Sequence, residues 1–175
     1  MSLPFRQLIG QPIVGLQSGL TGYQLKACLI DPDTNKIGLL IIGSSLGSSH
    51  YYVLPQAVRG IDRDSIVVNS EEDISDNEDL VRYQPLIRFG AKLIGAKVKT
   101  INDTKLGTII DFSFDKTTFD ICKLEVRSRW LLMPLAKNLI ITRKQIIKIE
   151  RDVVTVKENT VKNQKAAPEL LPVSS

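Results

Sequence analysis

Apolar positions recur at every second residue along most of this chain. "KLIGAKVKTINDTKLGTIIDFSFD" (92–115) alternates at Val98 and Thr100, then at Leu106, Thr108, Ile110, Phe112 and Phe114. Period-two alternation on β-branched and aromatic residues marks half-buried strands, not helices. Asn102-Asp103 supplies the turn between them, since both residues tolerate left-handed backbone and bond their own main chain. Gly107 inside the second strand signals a bulge or a close backbone approach. "DKTTFD" turns the chain again, and "ICKLEV" sets Cys122, Leu124 and Val126 on one face with Lys123 and Glu125 on the other. "NLIITRKQIIKIERDVVTV" then reads as a strand, a short turn-like step, and two strands about the charged hairpin Glu150-Arg151-Asp152.

The first half repeats this pattern. Leu8-Ile9-Gly10 aligns with Leu93-Ile94-Gly95, and Ile13 with Val98. Asp31, Thr34 and Ile37 align with Asp115, Thr118 and Ile121, and Ile61-Asp62-Arg63-Asp64 with Ile149-Glu150-Arg151-Asp152. The offset drifts only from 85 to 84 to 88, as expected when insertions fall in loops. An ordered series of matches predicts an internal duplication: an all-β protein of two tandem small β-barrels, at 1–70 and 90–158. Rolling each short sheet into a barrel would remove edges that otherwise pair with other chains. Units this small have marginal cores, so packing one on the other would help both. The stretch 71–89 holds six carboxylates between Glu71 and Asp79 and reads as a solvated acidic linker. Residues 159–175 are polar and Pro-containing, the composition of a disordered tail.

The order Leu-Ile-Gly, apolar strand, turn, "KLGTIIDFSFD", turn, apolar strand and final hairpin resembles the PRC-barrel family. In the first half "HYYVLPQAVRGIDRDSIVV" is similar to the family's closing segment, with Leu54-Pro55 and Val58 in place. The resemblance covers roughly residues 5–70 and 90–158, and a tandem arrangement of this kind looks like small bacterial PRC-barrel proteins. Its motifs are structural, so they speak to fold more than to function. Members such as the C-terminal domain of the ribosome maturation factor RimM and the reaction-centre H subunit imply a non-catalytic docking role.

Composition narrows the function classes. No apolar run approaches the ~18 residues of a membrane span, and "MSLPFRQLIG" lacks the apolar core of a signal peptide. Cys28 and Cys122 each lie in a strand-like run, which predicts buried, reduced thiols in a cytoplasmic protein. The net charge of +4 hides an asymmetry: 7 Lys+Arg against 10 Asp+Glu in 1–90 (net −3), and 16 against 9 in 91–175 (net +7). The two halves are expected to meet different partners, or each other.

Candidate chemistry is sparse. His50 is the single histidine and stands in a Ser/Gly loop, so neither a metal site nor a catalytic triad has support. "DPDTNKIGLLII" starts like a calcium loop at Asp31, Asp33 and Asn35, yet Lys36 stands where glycine is required and Ile42 where the bidentate Glu belongs. "GSSLGSSH" lacks a phosphate-binding lysine. Asp111, Asp115 and Asp120 read as turn and strand-end residues. No enzyme, cofactor, metal or small-molecule substrate is expected.

"VRSRWLLMPLAK" stands out, because Trp130, Leu131, Leu132, Met133 and Leu135 are edged by Arg127, Arg129 and Lys137 where the first half has "GSSLGSSHYY". Three readings stay open: cover for a barrel end or domain interface, an apolar docking anchor rimmed by cations, or shallow insertion at an anionic membrane surface. The leading expectation is an adaptor that docks on another protein, with Arg143 and Lys144 beside that stretch as further contact residues. The alternatives are an RNA- or ribosome-associated factor using Arg127, Arg129, Lys137, Arg143, Lys144, Lys148 and Arg151, or a protein peripheral to the membrane.

Overall fold

The computed structural model describes residues 1–128 and 138–158. They are mostly β, with one short helix, arranged in two sheets, one of them a curled half-barrel. In chain order the strands are β1 (Ser2–Pro4), β2 (Pro12–Gly15), β3 (Gly19–Asp31), β4 (Lys36–Ser44), β5 (Tyr51–Val53), β6 (Val58–Ile61), β7 (Ile66–Val68) and β8 (Ile74–Ser75). Helix α1 (Gln84–Phe89) follows, then β9 (Lys97–Thr100), β10 (Lys105–Asp115), β11 (Ile121–Ser128), β12 (Leu139–Thr142), β13 (Ile146–Ile149) and β14 (Val153–Val156).

The N-terminal sheet runs β6-β7-β2-β3-β4-β5-β8 and the C-terminal sheet β12-β11-β10-β9-β14-β13. Both have long antiparallel hairpins at their centre, and each has one parallel pair, β2 with β7 and β9 with β14. Neither sheet closes. Among the described residues no ladder joins β12 to β13 or β5 to β6, so the expected full barrels are open.

The reason lies in the core. Phe5, Leu8, Ile13, Leu25 and Ile42 from the first half share one continuous apolar cluster with Val98, Phe112, Phe114, Leu124 and Val154 from the second. Each half covers the other, so closure is not needed to exclude water. β10 is longer than its neighbour β9, and β1 fills the remaining edge, pairing Leu3 with Phe114. The adjoining Phe5 stacks on Phe112 with ring centroids 4.9 Å apart. In the other direction, Ile30 N on β3 donates to Ala91 O at 2.9 Å.

Two local expectations are corrected. Alternation along β10 breaks at register shifts between Lys105 and Gly107 and after Ile109, so Leu106 and Ile109 are buried while Thr108 is exposed and Ile110 only half-buried; Phe112 and Phe114 are buried beyond them. A second register shift leaves Cys122 half-buried and puts Ile121 in the core. The stretch 71–89, expected as linker, keeps most of its carboxylates at the surface but is built into the fold. β8 pairs with β5, and Leu80, Tyr83, Leu86 and Ile87 pack with Leu29, Leu39 and Ile41 on the outer face of the N-terminal sheet. Burial of these apolar residues outweighs what the acidic run alone suggests.

Candidate docking surface

The outward face of the C-terminal sheet gathers cations by strand register. Lys105 on β10 lies opposite Lys99 on β9, Lys99 opposite Thr155 on β14, and Thr155 opposite Lys148 on β13. A second row sets Arg127 on β11 opposite Thr108 and Thr108 opposite Lys97. Five cations therefore share one face, because strand residues two apart point the same way and cross-strand partners align. Lys99 Nζ meets Asp103 Oδ1 at 2.7 Å, and Lys148 Nζ meets Glu150 Oε1 at 2.8 Å. Both pairs favour the charged forms, raising the Lys99 pKa and lowering those of Asp103 and Glu150, mainly through these hydrogen bonds. Among the described residues no carboxylate pairs with Lys97, Lys105 or Arg127.

A second cluster sits where two hairpin turns meet. Asp31 Oδ1 accepts from Asp33 N at 3.0 Å, and Asp115 Oδ1 accepts from Thr117 N at 2.8 Å and Thr118 N at 3.0 Å. Each turn ends in a left-handed residue, Asn35 (φ 54°) and Phe119 (φ 59°). The turns then exchange backbone bonds, Ile37 N to Phe119 O at 3.0 Å and Ile121 N to Asn35 O at 3.1 Å. Lys36 Nζ faces Asp120 Oδ2 at 3.6 Å, and Arg143 pairs with Asp120 while its Nη2 donates to Thr34 O at 3.0 Å. Hydrogen bonding by Thr118, joined by the Arg143 guanidinium and the Lys36 ammonium, holds the Asp120 carboxyl below the usual range although burial opposes them. Arg143 thus clamps the two halves together.

In the C-terminal sheet β9 runs parallel to β14, and a 3-10 turn (Arg143–Gln145) precedes the last hairpin. Residues 87–162 match the PRC-barrel domain. The match leaves the N-terminal β region without a family. No curated protein matches the chain. The five-cation face therefore lies within the segment that matches the PRC-barrel domain.

Of the residues singled out from sequence, Arg127 is exposed on that face and Lys144 is exposed on the 3-10 turn. They do not come together. The β11–β12 ladder runs from Lys123–Thr142 to Val126–Leu139, so Arg127 and the Arg143–Lys144 pair lie at opposite ends, about 13 Å apart along the strand. Arg129, Trp130, Leu131, Leu132, Met133 and Lys137 lie outside the described residues. Sequence reasoning missed Lys97, Lys99 and Lys105. The alternation of "KVKT" puts Lys97 and Lys99 on one face, but only the pairing brings Lys105, Arg127 and Lys148 beside them.

Other chemistry-bearing residues are scattered. His50 is exposed in the β4–β5 loop. Cys28 is buried, and burial pushes its thiol pKa far up. A hollow of about 690 Å³ between the first hairpin turn and α1 is lined by Asp31, Arg82, Tyr83, Leu86 and Phe89, with Asp31 committed to its own turn. Among the described residues, no three His, Cys, Asp or Glu side chains group to hold a metal, and no helix is long and apolar enough to cross a membrane.

Proposed function

We propose that the protein is a non-catalytic docking module, two open PRC-like β units descended from one duplicated unit, that binds another protein through its second half. The duplication draws support from the shared strand order, the parallel pair in each sheet and the reciprocal bonds at the turn junction. Asn35 and Phe119, like Asp31 and Asp115, do the same work at corresponding places. The observation carrying the docking role is the contrast between dispersed reactive residues and a gathered, exposed cationic face. Such a face recognises an anionic surface and speeds encounter with it. The +7 balance of residues 91–175 favours RNA as a second reading.

Capture from native lysate, with and without nuclease, tests the choice. A protein retained after nuclease and absent from a control bait is expected. Loss of all captured material on nuclease treatment would transfer the role to RNA, and capture of nothing would end the docking reading.

A further inference from the structure

The two sheets provide a control for the cationic face. Equivalent positions are fixed by pairing, not by sequence alignment alone. Lys99 pairs with Lys105 and with Thr155, as Val14 pairs with Leu20 and with Val67. Lys148 pairs with Thr155 as Gly60 pairs with Val67. Lys97, Thr108 and Arg127 stand in line as Pro12, Gln24 and Gly43 do. The five cations of the PRC-barrel domain thus correspond to Pro12, Val14, Leu20, Gly43 and Gly60. All five counterparts are neutral, and Leu20 is 76% exposed. The same strand pairings form without charge at these positions, so the fold does not require it there.

Self-repulsion makes such clustering unfavourable in the free protein. Asp103 and Glu150 offset two of the charges, Asp103 also interacts electrostatically with Lys105, and among the described residues no carboxylate forms an ion pair with Lys97, Lys105 or Arg127. The row from Lys105 through Lys99 and Thr155 to Lys148 crosses four strands, about 14 Å at ~4.8 Å per step. An extended peptide rises ~3.3 Å per residue, so four or five residues span that row, with alternate side chains facing it.

We infer that this face binds an acidic, extended segment of a partner protein that also carries aliphatic side chains. The aliphatic requirement comes from Ile101 and Ile147, exposed at 62% and 45% and placed beside Val156, the residue after Thr155 of the row. Ile101 N bonds Val156 O, and Ile147 sits at the bulge beside the Ile146–Val156 pair. A single-stranded nucleic acid would be served by aromatic stacking platforms beside the cations, and among the described residues Phe112, Phe114 and Phe119 are buried. The chain's own acidic run does not supply the segment, because β8 is paired and Leu80 is buried within it.

The inference rests on the docking reading, and the test separates the two. The full chain is titrated with a fluorescent peptide repeating Glu-Asp-Ile, beside a short RNA duplex and phosphatidylserine vesicles. The peptide is expected to bind at low salt and weaken as salt rises. Lys97→Glu/Lys105→Glu/Arg127→Glu should weaken it by roughly tenfold or more, through like-charge repulsion. The same charge change at Arg63, Lys116 and Lys144 should leave it within about twofold, since distant exposed charges are screened. Ile101→Ser/Ile147→Ser should also weaken the peptide. Melting curves come first, and Lys→Gln and Arg→Gln versions replace any variant that fails to fold. Tighter binding of RNA or vesicles, indifferent to the two isoleucines, overturns the inference. So does equal loss from both charge-reversal sets, or salt-dependent self-association without peptide binding. If lysate capture survives the triple reversal, this site falls while the docking role stands.

Discussion

Gly107 is the residue where the strand signal and the fold agree most closely. A Cβ there would lie 2.0 Å from Arg127 O, and its φ of 155° suits few side chains. Gly107→Ala should therefore cost more than about 2 kcal/mol in urea unfolding, because backbone has to move. Gly60, with nothing within 4 Å of its Cβ position and no left-handed φ, is the control. Gly60→Ala should be neutral or stabilise by up to about 1 kcal/mol. Asp120 was legible only as a turn residue, because its partners Lys36 and Arg143 come from distant segments. Asp120→Asn should cost about 1 kcal/mol near neutral pH, the scale of a partly exposed ion pair. The folded pKa is lowered, so this contribution is complete above the unfolded value near ~3.9 and disappears as pH falls through the lower folded value. Wild type and variant should converge in acid melts, and a constant difference would mean that the pair contributes nothing through charge.

At the scale of elements, strands were easier to read than their faces. The hairpins at 98–115 and 146–156 follow from alternation and turn chemistry. The bulges in β10 after Ile109 and Ser113, unlike the one at Gly107, were not legible, since a single extra residue swaps faces without changing composition. The stretch 71–89 was misread for a related reason: its charge drew attention from Leu80, Tyr83, Leu86 and Ile87, which pack as a satellite cluster. Charge and packing can be separated there. Replacing the six carboxylates between Glu71 and Asp79 by Asn or Gln should shift stability by less than about 1 kcal/mol, whereas Leu80→Ala should cost about 2–4 kcal/mol. Denaturant melts of both variants check this, and the reverse ranking would show that the acidic residues, not the leucine, hold the segment down.

For the whole molecule, the shared core is the decisive feature, and the sequence pointed only to two units that pack together. Phe5 reaches from the first half onto Phe112 in the second, so Phe5→Ala should cost about 3–5 kcal/mol. Fluorescence and far-ultraviolet circular dichroism should report one coincident unfolding transition for both halves. Two separated transitions would mean that the halves are stable alone. The docking account turns on one difference between halves of the same strand order, the cations on the outside of the second. The most direct measurement is a paired melt and binding assay of Lys97→Gln/Lys99→Gln/Lys105→Gln/Arg127→Gln/Lys148→Gln, using the protein captured from lysate. The account predicts a melting temperature within a few degrees of wild type, because exposed ion pairs add little to stability, together with loss of the captured partner. Retention of that partner at full affinity, or collapse of the fold, would contradict it.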